Sequence, residues 1–176
     1  GYQNYAPGFR EELIESIFLP RDYAIYYFNK RGVGDSTGNW KWGSIEEQAA
    51  DVLAAVDHLR STPGIDPNRI GIIGHSQGGW VVQLAGSLDP DVDFVISLSG
   101  PTVSVREQDS YRAENDLRCE GASEEEIELE LAKLNAKHER NISVGGWFPF
   151  FELRLAANLY RYDPTAAIQG LTQPTL

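Results

Sequence analysis

The hexapeptide Gly74-His75-Ser76-Gln77-Gly78-Gly79 is the place where this sequence could do chemistry. It has the form G-x-S-x-G, a serine with a glycine two residues to either side. Before it runs the apolar segment 69–74, which reads as a strand; after it, residues 79–85 read as a helix. A serine held in so tight a strand-to-helix turn presents its hydroxyl above the sheet. Gly74 and Gly78 are expected to supply the lack of bulk that the turn demands. The helix N-terminus favours negative charge developing beside it. Ser76 is therefore the candidate nucleophile toward an acyl carbonyl, an ordinary Gly-rich turn being the bland alternative. A serine hydroxyl needs an adjacent base to react at neutral pH.

The other chemistry-bearing residues carry weaker signals. His75 adjoins the serine, and packing suits it better than the role of base. His58 falls late in an amphipathic segment and reads as a surface residue. Glu107 and Asp109, placed after a strand end, are minor candidates for a catalytic acid. Glu124, Glu125 and Glu126 read as a solvated first helical turn rather than a metal site. Gly32-Val33-Gly34 lacks the Gly-Lys-Ser/Thr of a phosphate cradle. Asn141-Ile142-Ser143 matches a glycosylation acceptor by a three-residue pattern that is common by chance. Trp147-Phe148-Pro149-Phe150-Phe151 suits either an acyl-binding face or plain packing.

The elements that must position Ser76 follow from periodicity. Residues 7–18 have apolar positions at helical spacing, with Pro20 as the expected stop. Residues 23–28 form an unbroken apolar run, expected as a strand buried on both faces. Ser44-Ile45-Glu46-Glu47 has capping-box form and opens a helix that Thr62-Pro63-Gly64 ends. Strands are expected at 69–74 and 94–98, with the helix 79–85 between them. This alternation predicts βαβ units and an α/β sheet. From residue 110 to 162 no strand is evident. A helix opens at Ser123, acids first and Lys133, Lys137 and Arg140 later, as its dipole favours. The final residues 171–176 read as the approach to another strand.

Asn29-Lys30-Arg31-Gly32-Val33-Gly34-Asp35-Ser36, Ile65-Asp66-Pro67-Asn68-Arg69-Ile70 and the Ser76 hexapeptide together resemble the α/β-hydrolase superfamily, in its esterase and serine-peptidase-like branch. Asp163-Pro164 and Gln173-Pro174-Thr175-Leu176 resemble the family's return from a lid into the sheet. The resemblance implies an α/β-hydrolase-type, mostly parallel sheet flanked by helices, with a helical lid insertion and truncation at both ends. It divides the chain into a partial core (1–109), a lid (110–162) and a return to the core (163–176). It implies Ser76 as nucleophile, the Gln77 N–H as one oxyanion donor and the Tyr2 N–H as a second. The family's triad runs Ser, then Asp or Glu, then His. After Ser76 the one histidine is His138, inside a charged helix, so the acid and the His base are expected beyond residue 176.

Composition agrees with one folded domain and narrows the partners. The 176 residues are 41% hydrophobic and 23% charged, which excludes collagen-like and disordered chains. A net charge of −11 argues against nucleic acid, whose phosphates need a basic footprint. No apolar run approaches the ~18 residues of a membrane span. The single cysteine, Cys119, rules out an internal disulfide. The chain starts at Gly1 and has no methionine, so a processed chain or a piece of a longer one is expected. No cofactor or metal is called for. The expected partner is a small-molecule ester or a short peptide. A peptidase or amidase, or a non-catalytic ligand-binding module of the same fold, remains the alternative.

Overall fold

A computed structural model of the chain describes residues 12, 14–40, 43–145 and 151–176. The chain forms two units, divided after Trp40.

In the first unit a helical turn α1 (Ser16–Phe18) tightens into the 3₁₀ turn Leu19–Arg21. Pro20 does not stop the helix as expected. It sits at the start of the 3₁₀ turn, where its missing N–H is not needed. The stop is Asp22, in the left-handed region at φ 60°, with its N–H on Leu19 O. Of the expected helix 7–18, residues 7–11 and 13 lie outside the described residues. The strand expected at 23–28 is absent: this segment belongs to no strand pair among the described residues. Its side chains alternate, residues 23, 25 and 27 half-buried and 24, 26 and 28 exposed. An apolar run supplies the propensity for a strand, but a strand also needs a neighbour to complete its ladder. The loop after it closes on itself, with the Gly32 N–H shared by Ser36 O and Thr37 O and the Ser36 hydroxyl on Asn29 O. At Gly32, φ is +70° and a Cβ would lie 2.8 Å from Gly38 O, so only glycine fits.

The second unit is built around α3. Helix α2 (Ile45–Arg60) starts at the capping box read from the sequence: the Ser44 hydroxyl accepts from the Glu47 N–H, and the Glu47 carboxylate from the Ser44 N–H. It buries Ile45, Ala49 and Val56. Strand β1 (Ile72–His75) leads through Ser76 into α3 (Gln77–Leu88), and β2 (Val95–Leu98) pairs with β1 in parallel, Ile72 opposite Val95 and His75 opposite Leu98. Both strands fall within a few residues of their expected places, and α3 begins two residues earlier than expected. Helix α3 is apolar nearly all round because it is covered nearly all round, burying Trp80, Val81, Val82 and Ala85 between α2, α7 and the sheet. Arg60, at the end of α2, makes a two-pronged ion pair with Asp89, which caps the far end of α3. The guanidinium holds the Asp89 carboxyl below its usual range.

After β2 come three helices, α4 (Val105–Glu120), α5 (Glu124–Gly145) and α6 (Phe151–Arg161), then the short α7 (Thr165–Gly170). Helix α5 packs against α4 and α6. Residues 174–176 add to the far edge of β2: Val95 N–H bonds Pro174 O, Leu176 N–H bonds Val95 O, and Thr175 bridges Val95 in parallel. The Gln173 side chain anchors this segment to Gly86 O on α3. No helix among the described residues is long and apolar enough to cross a membrane.

Candidate active site

Ser76 stands at the junction of β1 and α3 with φ 54° and ψ −119°, a backbone conformation that a non-glycine residue rarely holds. Its residue is exposed, and its hydroxyl makes no capping bond to α3 although it occupies the N-cap position. Serine at that position normally spends its oxygen on a helix N–H. Here the oxygen is left for another partner. The backbone is fixed instead by Ser76 N–H to Leu98 O at 2.9 Å and Gly79 N–H to Ser76 O at 2.8 Å. The Gln77 N–H is the first of α3 and has no acceptor within the helix, so it is available to an oxygen beside Ser76.

The bulk limits of the turn differ in one respect from expectation. A Cβ on Gly74 would lie 2.1 Å from Gly78 O, so the turn admits nothing larger there. A Cβ on Gly78 would meet nothing within 4 Å, and its φ is not left-handed. The second crowded position is Gly79, whose Cβ would lie 2.4 Å from the Gly100 Cα and 2.6 Å from Ser97 Oγ. The backbone of Gly78, rather than its lack of side chain, is what fills the turn.

Around this junction α3 gathers the neighbouring loops. Trp80 Nε1–H donates to Val103 O at 3.0 Å, and the Tyr162 hydroxyl to Trp80 O at 3.4 Å. Burial pushes the Tyr162 phenol up to about 12, so it remains a donor across the neutral range. The buried Gln83 amide donates to Ser97 Oγ and Pro101 O. The loop 99–104 is thus fastened to the helix that carries Ser76.

The other candidates are dispersed. Glu107 is not at a strand end but in the first turn of α4, where it completes a second capping box with Ser104; those hydrogen bonds hold its carboxyl below the usual range. His58 is exposed on the last turn of α2, the turn whose Arg60 pairs with the cap at the far end of α3. Twelve helical residues, about 18 Å at 1.5 Å each, separate that end from Ser76. His75 is half-buried on β1. Glu124 to Glu126 are exposed, Glu124 paired with Arg118 and Glu126 capping α5 through Ser123. Asn141 is buried at 8% exposure within α5, which removes it as a glycosylation acceptor. Tyr2 and residues 147–150 lie outside the described residues. Among those described, no cluster of three or more His, Cys, Asp or Glu could hold a metal ion.

The sequence places His138 inside a charged helix and gives no expectation for its burial. His138 is fully buried on α5, with Nε2 3.5 Å from Asp109 Oδ2 on α4 and its ring 4.3 Å from that of Tyr160 on α6. The signal was present, since Ile127, His138, Asn141 and Gly145 fall on one helical stripe. Burial depresses its pKa, Asp109 partly opposing the shift and Arg106 and Lys137 adding to it. The unfolded chain therefore takes up the proton first as pH falls through ~6.5. Stability supplied by neutral His138 is complete above that pH and is lost below it, down to the depressed folded value. Thermal melts at pH 7.5 and 5.5 should show a fall in Tm that His138→Phe reduces. An equal fall in both proteins would assign the acid sensitivity elsewhere. The carboxyls held low by their hydrogen bonds act only at lower pH.

A G-x-S-x-G turn between a parallel strand and a helix has the form of a nucleophile elbow, and comparison with known proteins decides the family. Residues 8–133 match the family model described as serine aminopeptidase, S33. The chain belongs to this family, within the α/β-hydrolase superfamily. The resemblance carried by residues 29–36, 65–70 and 74–79 thus holds, and the fold is the mixed α/β arrangement it implied. Over 75 residues the chain is 36% identical to 4-O-methyl-glucuronoyl methylesterase 1 of Sodiomyces alcalophilus, covering 40% of this chain and 14% of that protein. It is 34% identical over 83 residues to thiohydrolase aneE of Aspergillus aculeatus, covering 47% and 26%. With palmitoyl-protein thioesterase ABHD10, mitochondrial, of Bos taurus it shares 30% identity over 105 residues, 60% of this chain and 32% of that one. The matched segments thus span a third or less of these relatives. Among solved structures, that of DcsB in complex with its substrate analogue superposes with a TM-score of 0.60 at 18% identity, covering 94% of this chain and 66% of that one. That likeness concerns the fold alone.

Proposed function

We propose that the protein to which this chain belongs is a serine hydrolase of small carboxylic esters or thioesters, working through an acyl-enzyme on Ser76. The observation that carries the reading is the strained, exposed Ser76 whose hydroxyl is left unspent at the N-terminus of α3. Ser76 Oγ attacks the acyl carbonyl and loses its proton to a base. The Gln77 N–H holds the oxyanion, and the alcohol or thiol leaves with a proton returned by that base. Water then releases the acid by the same steps. The base and the acid that orients it lie outside the described residues: His138 is sealed between helices, and His58 stands at the wrong end of α3. Residues 110–162, which include most of the mutually packed helices α4 to α6, serve as the lid in this reading.

The ester preference rests on the relatives, named as a methylesterase, a thiohydrolase and a thioesterase. The family's description as serine aminopeptidases favours a second reading, hydrolysis of short peptides. Parallel assays of the full-length protein on p-nitrophenyl butyrate and on aminoacyl p-nitroanilides separate them. Turnover of the ester at least a hundredfold above that of the anilides is expected. The reverse ratio would replace the esterase reading with the peptidase one.

A further inference from the structure

The parallel register that sets His75 opposite Leu98 makes Ser76 and Ser99 the next facing pair, one at the end of each strand. The neighbours of Ser99 on both sides touch the turn: Leu98 O accepts the Ser76 N–H at 2.9 Å, and Gly100 packs directly on Gly79. Adjacent strands run about 4.8 Å apart, so continuing the β1–β2 register by one residue would leave the Ser76 and Ser99 backbones about one strand spacing apart. Ser99 also has a left-handed backbone, at φ 48°, where glycine would sit without cost. Three described non-glycine residues have positive φ, and two of them are this facing pair. The Ser99 residue is exposed, and among the described residues it makes no hydrogen bond. Beneath it the Gln83 amide grips Ser97 and Pro101, so the strained turn is held rather than loose. Strain kept at an exposed position beside a reactive group points to use of the side chain it carries.

We propose that Ser99 is a substrate-contacting specificity residue, whose hydroxyl hydrogen-bonds a polar substituent one or two carbons from the scissile carbonyl and so favours hydroxyacyl or oxoacyl esters over plain alkanoyl ones. The inference rests on Ser76 being the nucleophile. A group one or two carbons from the carbonyl held at Ser76 Oγ can reach across about one strand spacing, toward the end of β2 that carries Ser99. A site with a hydroxyl waiting there discriminates by the bond that the plain ester cannot make.

The test is a pair of substrates, p-nitrophenyl 3-hydroxybutyrate and p-nitrophenyl butyrate, with the full-length protein and its Ser99→Ala and Ser99→Gly variants. Ser99→Ala should lower kcat/KM for the hydroxy ester about tenfold and change that for butyrate less than twofold. Ser99→Gly should lose the same selectivity while its Tm rises, because glycine relieves the left-handed strain. This variant reports even if alanine is poorly tolerated. The rate of fluorophosphonate labelling at Ser76 should stay unchanged in both. Unchanged selectivity with normal labelling would overturn this inference alone, and so would an equal loss on both esters. No labelling of Ser76 in the unsubstituted protein would overturn the nucleophile reading, and this inference with it.

Discussion

Ser76→Ala should remove ester turnover from the full-length protein almost entirely, by about 10⁶-fold in kcat if the serine acts as a unit with its base. No other exposed hydroxyl in the described part of the site can replace it: Ser97 is engaged by Gln83, and Ser99 lies outside the turn at the head of α3. The protein should still fold, because the Ser76 side chain makes no capping bond that alanine would lose. Its left-handed φ is equally uncomfortable for either residue. A melt unchanged within a degree or two should therefore accompany the loss of rate. Gln77→Ala is the contrasting control, since the group assigned to Gln77 is its backbone N–H and survives the substitution; a change in rate of only a few fold is expected. A Ser76→Ala protein with more than a hundredth of the original turnover would mean another nucleophile.

Gly74→Val should be the most damaging single change in the turn, and Gly78→Ala among the mildest. A Cβ at 74 would sit 2.1 Å from Gly78 O, and backbone cannot swing aside as a long side chain can. The neighbouring Val82 Cγ1, 3.0 Å away, closes the remaining space. Relief requires the strand and the helix to part at Ser76, at a cost in the upper part of or above the ~1–3 kcal/mol typical of overpacking. At Gly78 a methyl enters open space within a helix, where alanine is favoured over glycine by ~0.8–1 kcal/mol. Expression and thermal melts of the two variants, with turnover of whatever folds, check the contrast. Gly74→Val should be lost to unfolding or inactive, and Gly78→Ala should match or exceed the parent in Tm. Equal behaviour of the two would contradict the geometry given for the turn.

The limits of the sequence show in the same residues. The strand, turn and helix around Ser76 are legible because they are consecutive, and short-range pattern captures them. The choice of Gly78 over Gly79 as a crowded position failed because the crowding at 79 comes from Gly100, which lies 21 positions further along the chain. Ser104-Val105-Arg106-Glu107 has the same capping-box form as Ser44-Ile45-Glu46-Glu47, and that local pattern, rather than the place of Glu107 after a strand, decides what its carboxylate does. The stretch 23–28 has the composition of a strand, but pairing is a property of two segments, and composition speaks for one. His138 was seen among charges along the chain, whereas burial follows the stripe it shares with Ile127 and Asn141. The division of 1–109, 110–162 and 163–176 follows the family resemblance and the lack of strand signals after residue 110. In the structure the run of helices after β2 opens at Val105.

Reaction of the full-length protein with a fluorophosphonate, followed by proteolysis and mass spectrometry of the labelled peptide, tests the assignment of Ser76 most directly. The probe phosphonylates a serine only where the hydroxyl is activated and the oxyanion is held, the two properties assigned to the head of α3. The expected result is a single adduct, on Ser76, that forms at a rate Gln77→Ala changes by no more than a few fold. An adduct on a different serine, or none at Ser76 in a protein that still turns over ester, would contradict it.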